Sequence, residues 1–107
     1  MIQVDYDRRN YALSVYGHAC FSDCGTDIVC SASSILAYAL AAELTALEEK
    51  GYVTDLQLYF DKGVANITCR LRAPRSAPVV YAAFDTAAAG YRLLAKNYPE
   101  NIAIKNF

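Results

Sequence analysis

The sequence predicts an α+β domain with element order ββαββα, in which a small antiparallel-rich sheet carries two helices on one face. Three observations support this. Apolar and polar residues alternate at both ends of the first sixteen positions and again over 53–72, which is strand periodicity. Between them, an uncharged run of helical periodicity extends from Ile28 to Ala42. A second helical pattern, over 79–97, follows the last long strand. At 107 residues the chain is expected to form one domain, 1–107, with no room for a second.

Ile2, Val4 and Tyr6 alternate with Gln3, Asp5 and Asp7, predicting the first strand. Asp7-Arg8-Arg9-Asn10 is a polar turn, and 11–16 returns as a second strand with Leu13 and Val15 on one face. Gly17 gives the chain freedom to leave the sheet just before His18. A long loop then leads to a helix expected over 27–50, with Thr26 as its cap and Asp27 in its first turn. Ile28, Ile35, Leu36, Ala39, Leu40, Leu44 and Leu47 form its expected inward stripe. Strands are expected over 53–60 and 64–72, joined by a hairpin turn at Asp61-Lys62-Gly63. Cys69 falls on the apolar face of the second of these. A loop with two prolines precedes the second helix, whose inward residues are Val80, Phe84, Ala87, Ala88, Tyr91 and Leu94. Gly90 in its middle costs about 1 kcal/mol relative to Ala, so close packing is expected there. Pro99 stops the helix, and 102–104 suits a short edge strand.

Composition excludes several classes. The chain is 55% hydrophobic with nine tyrosines, enough for a real core, and its net charge of −1 gives no global case for nucleic acid or a membrane surface. The local patch of Arg70, Arg72 and Arg75 reads as a solvated face or as a steering surface for an acidic or RNA-bound partner. The opening residues are too polar for a secretory signal, and the uncharged run of 28–42 is shorter than the roughly 20 residues a spanning helix needs. The expected compartment is the cytoplasm, with reduced cysteines.

The chemistry gathers between Gly17 and Ser34, which holds the only histidine, His18, and three of the four cysteines, Cys20, Cys24 and Cys30. Cys30 falls in or just after the first turn of the helix, where the dipole and free N–H groups favour a thiolate. His18, at a strand end across the loop, can act as its base. Asp27, three residues before Cys30, is either a helix-start acid or a group that orients His18; Ser34, four residues after, either bonds the thiol or back-bonds its own helix. The helix-start N–H groups, that of Cys30 included, are the expected oxyanion donors. The competing reading is a structural zinc held by His18, Cys20, Cys24 and Cys30, but the spacing H-x-C-x3-C-x5-C lacks paired knuckles, so no metal or cofactor is expected.

Gly17-His18-Ala19, a loop containing Gly25, and Asp27-Ile28-Val29-Cys30 with Ser34 four residues on resemble the signature of the ribosomal-processing cysteine protease family, Prp. The ending Tyr98-Pro99-Glu100-Asn101-Ile102 and the chain length fit the same family. Ser31 stands where that pattern has alanine, and the family needs no cysteine at 20 or 24. The resemblance implies a cysteine endopeptidase with Cys30 as nucleophile, His18 as proton carrier, and Asp27, Ser34 and Gly17 in support. It further implies a homodimer whose substrate is the N-terminal extension of the large-subunit ribosomal protein numbered twenty-seven, with an apolar cleft near Cys30. The alternative is a non-enzymatic, ribosome-associated module of the same fold that holds a peptide or RNA.

Overall fold

In a computed structural model, residues 1–19 and 27–107 are described. The elements are β1 (Ile2–Asp7), β2 (Ala12–Tyr16), α1 (Ile28–Glu49), β3 (Val53–Asp61), β4 (Val64–Leu71), α2 (Ala77–Asn97) and β5 (Ile102–Lys105). Short 3-10 turns occupy Arg8–Asn10 and Pro74–Ser76. The expected α+β architecture is observed, with a fifth strand completing the sheet. Strand order is β3-β4-β2-β1-β5, antiparallel throughout except for the parallel pair β1 and β5. That pair is parallel because α2 carries the chain back along the sheet before β5 begins, as a parallel connection requires.

One sheet face is the core face. Ile2, Val4, Tyr6, Leu13, Val15, Ala65, Ile67 and Cys69 are buried there, and their polar neighbours in sequence point the other way. The register aligns Tyr6 with Leu13 and Leu13 with Ile67, which makes a continuous apolar row across three strands. β3 joins this face through a bulge. Its pairing shifts between Thr54 and Gln57, with Asp55 at φ +51, so Val53 and Leu58 both reach the core side despite their odd and even positions. Leu58 remains 41% exposed at the edge.

α2 presents the expected residues: Val80, Phe84, Ala87, Ala88 and Tyr91 are buried and Leu94 is half-buried. Each large side chain buried in this way contributes roughly 1.5–3 kcal/mol. Gly90 is a point of close approach, since a Cβ there would stand 2.5 Å from a Leu36 methyl. The buried Tyr91 hydroxyl donates to the Ser33 carbonyl at 2.7 Å, tying α2 to the first turns of α1.

The expected stripe of α1 needs correction. Val29, Ser33, Ala37, Leu40, Ala41, Leu44 and Leu47 are buried, whereas Ile28 and Ile35 are 55% and 63% exposed and Ala39 is exposed. From 28 to 42 the helix is uncharged and mostly apolar on every side, so its sequence does not set the rotational phase; the sheet and α2 do. By length and composition α1 would suffice to cross a membrane, but its inward face belongs to the core.

Candidate active site

The site lies where β2, the start of α1 and the β3–β4 turn meet. A cleft of about 360 Å³ opens there, and both His18 and Cys30 line it. They arrive from different directions. β2 ends at Tyr16, and Gly17, at φ +100, turns the chain away from the sheet. A Cβ on Gly17 would collide with the main-chain carbonyl of Met1, so the position admits only glycine. His18 follows as an exposed side chain, and Ala19 is buried again.

Cys30 is the third residue of α1 and is partly exposed. Its Sγ accepts a hydrogen bond from the Ala19 N–H at 3.3 Å. The Ala19 carbonyl accepts from the Asn101 side-chain amide at 2.9 Å, so the peptide segment that addresses the sulfur is anchored from the C-terminal end of the chain. His18 and Cys30 share the cleft, and among the described residues the hydrogen bond to the Cys30 sulfur comes from Ala19 rather than His18.

Asp27 caps the helix. It is buried, has extended backbone angles, and accepts from the N–H groups of Val29 and Cys30, both at 3.0 Å. This corrects two expectations. Asp27 itself, rather than Thr26, closes the described helix start; Thr26 lies outside the described residues. The Cys30 N–H, expected as an oxyanion donor, is already committed to the Asp27 carboxylate because a buried acceptor takes the nearest unpaired donors.

Ser34 lines the same cleft one turn beyond Cys30. The far wall is apolar. Tyr38 of α1 stacks on Phe60 of β3, with ring centroids 4.8 Å apart, and Ala37, Val64 and Ala65 continue that surface. Asp61, Lys62 and Gly63 of the β3–β4 turn form the rim, and the Gly63 carbonyl accepts the Gly17 N–H at 2.8 Å. Cys69 takes no part in the site: it is buried in the sheet core, and burial pushes its thiol up to about 11. Cys20 and Cys24 lie outside the described residues.

Gly17, His18, Cys30 and Ser34 therefore line one cleft, and Asp27 joins them through the Cys30 N–H. Sequence reasoning did not single out Asn101 or Gly63. Asn101 sits in the tail quoted for the family resemblance, so a signal was present; Gly63 reads from the sequence only as a hairpin glycine. A sulfur and an imidazole lining one cleft, with aromatic side chains alongside, are suited to acyl transfer from an extended peptide.

The sequence model of a family described as cysteine protease Prp matches residues 1–103. Among solved structures, a Streptococcus mutans protein, SMU.848, is 31% identical, with 98% of this chain and 92% of that chain covered and a TM-score of 0.70. The essential ribosomal processing protease Prp from S. aureus, in complex with a covalently linked product peptide, is 22% identical over 98% of both chains at a TM-score of 0.73. The same S. aureus protease with a substrate peptide aligns at 20% identity over 98% of both chains, with a TM-score of 0.69. No protein among the curated sequences matches this chain.

Proposed function

Because the chain belongs to the family of the cysteine protease Prp, we propose that it is a ribosomal-processing endopeptidase acting through Cys30 and His18. The observation that carries this reading is that these two side chains, from separate elements, line one cleft of about 360 Å³. Residues 1–107 act together as one protease domain.

In the reaction, His18 takes the thiol proton and the Cys30 sulfur attacks the scissile carbonyl carbon. The C–N bond breaks as His18 delivers that proton to the leaving amine, which leaves a thioester on Cys30. Water, deprotonated by His18, adds to the thioester carbonyl, and the acid product departs as the thiol is restored. No cofactor is needed. Asp27 supports the nucleophile by fixing the first turn of α1, Gly17 by letting the chain deliver His18, and Ser34 by its place on the cleft wall.

The substrate in this proposal is the N-terminal extension of the large-subunit ribosomal protein numbered twenty-seven, cleaved in the cytoplasm. A peptide substrate is favoured by the trough beside Cys30, walled by Tyr38 and Phe60, which suits bulky apolar side chains. The S. aureus protease captured with substrate and product peptides supports the same class of partner. The reading includes a homodimer, favoured by the exposed Ile35 on α1 and by an apolar groove of about 720 Å³ between α1 and α2. Direct contact with nucleic acid or membrane is not part of it.

The test is incubation of the purified protein with a synthetic peptide of that extension, followed by mass spectrometry. Cleavage by the wild type and none by Cys30→Ala or His18→Ala is the expected result. An intact peptide with the wild type, or equal cleavage by Cys30→Ala, would overturn the assignment.

A further inference from the structure

We propose that Gly63, in the turn between β3 and β4, is a positioning residue for His18, and that its missing side chain is what gives the imidazole its seat. The proposal rests on His18 being the proton carrier of the site described above. A Cβ built on Gly63 would stand 2.9 Å from His18 Nε2, 3.2 Å from Cε1 and 3.6 Å from Cδ2. The ring therefore turns its Nε2–Cε1 edge toward the Gly63 α-carbon, at a range that no substituted residue would leave free. The same residue holds the chain just ahead of the histidine, because the Gly63 carbonyl accepts the Gly17 N–H at 2.8 Å. One glycine thus fixes both the backbone that delivers His18 and the surface the ring lies against. The His18 side chain is exposed, so among the described residues this contact with a hairpin anchored in the sheet constrains where the ring points.

The backbone requirement at Gly63 can be separated from the side-chain requirement. Gly63 has φ +71, a region that L residues rarely adopt, so any substitution there carries backbone strain. Gly51, which follows α1, provides the control: it has φ +83, yet a Cβ there would meet nothing within 4 Å. Alanine at either position bears comparable strain, and only alanine at 63 displaces a ring. His18 is the sole histidine of the chain, so its ring protons are identified in an NMR spectrum without further assignment.

The experiment compares wild type, Gly51→Ala, Gly63→Ala and Gly63→Asn. Asparagine tolerates the left-handed backbone better than alanine and carries the same Cβ. The readouts are urea unfolding, the chemical shifts of the His18 ring protons at one fixed pH, and kcat and KM on the extension peptide. Both alanine variants are expected to lose similar stability. Only the Gly63 variants should shift the His18 resonances, and lower kcat on the order of tenfold with KM little changed. His18 signals in the folded Gly63 variants that superimpose on wild type, or that move equally in Gly51→Ala, would overturn the proposal. So would failure of both Gly63 variants to fold while Gly51→Ala folds, since Gly63 would then serve the fold rather than the ring. A wild type that leaves the peptide intact removes the protease reading instead, and the NMR comparison still decides whether Gly63 seats the ring.

Discussion

The Ala19 N–H points at the Cys30 sulfur across 3.3 Å. This bond closes the interval between the strand that brings His18 and the helix that brings Cys30, so the two halves of the sequence motif are joined through main chain. The donor is held in turn by Asn101, which takes the Ala19 carbonyl. An N–H aimed at sulfur is a stronger partner for a thiolate than for a thiol.

Asn101→Ala should therefore act at a distance on Cys30. Loss of the Asn101 amide is expected to cost about 1 kcal/mol in urea unfolding. It should also slow alkylation of Cys30 by iodoacetamide at pH 7, followed by peptide mapping so that Cys30 is scored apart from the other thiols. Unchanged alkylation in a folded Asn101→Ala protein would show that the anchor does not reach the sulfur.

The cap at Asp27 makes a second prediction. Its carboxylate satisfies two helix-start N–H groups that have no partner within the helix. Asp27→Ala should lower stability by about 1 kcal/mol, and Asp27→Asn should recover most of the loss because asparagine caps nearly as well. Equal stabilities for wild type and Asp27→Ala would mean that packing alone holds the helix start.

Cys69 sets an alkaline limit. Burial raises its thiol to about 11, whereas an unfolded cysteine ionises near about 8.5. A folded value above the unfolded one means that this contribution to stability is complete below about pH 8.5 and is lost as pH rises toward 11. Urea midpoints of wild type should fall more steeply between pH 8 and 10, on the order of one transition's width, than those of Cys69→Ala. Parallel slopes would contradict the assignment.

Asp85 sets the acid side. The Arg8 guanidinium bonds both its oxygens at 3.1 and 3.0 Å, burial partly opposes this, and the buried Tyr6 hydroxyl donates to it at 2.8 Å. The net effect holds the carboxyl below its ordinary value, so its contribution is present above about pH 4 and is lost as pH falls through the folded value. Asp85→Asn should cost about 1 kcal/mol at pH 7, discounted for the exposure of the ion pair, and the gap to wild type should narrow by pH 3. A gap independent of pH would show that the charge at Asp85 is not what stabilises β1 against α2.

Strand alternation, the helix at 28 and the inward face of α2 were all legible in the residues, because period-2 and period-3.6 patterns report directly which side of an element meets the core. Val80, Phe84, Ala87, Ala88 and Tyr91 are buried as their spacing requires. The rotational phase of α1 was not legible. Where every position from 28 to 42 is uncharged and mostly apolar, many phases bury similar surface, and contact with the sheet and with Gly90 of α2 selects one of them. The bulge that brings Val53 and Leu58 to one side was likewise set by pairing with β4.

The candidate site divides along the same line. The sequence alone supplied its candidate residues, since one histidine and one helix-start cysteine were on offer within a recognisable motif. The tertiary structure decided what surrounds them: Asn101 bonding Ala19, Gly63 lying under the imidazole, and Asp27 claiming the Cys30 N–H. Such contacts join residues up to 82 positions apart, and no local pattern encodes them, because they exist only once β5, the β3–β4 turn and α1 have been packed against one sheet.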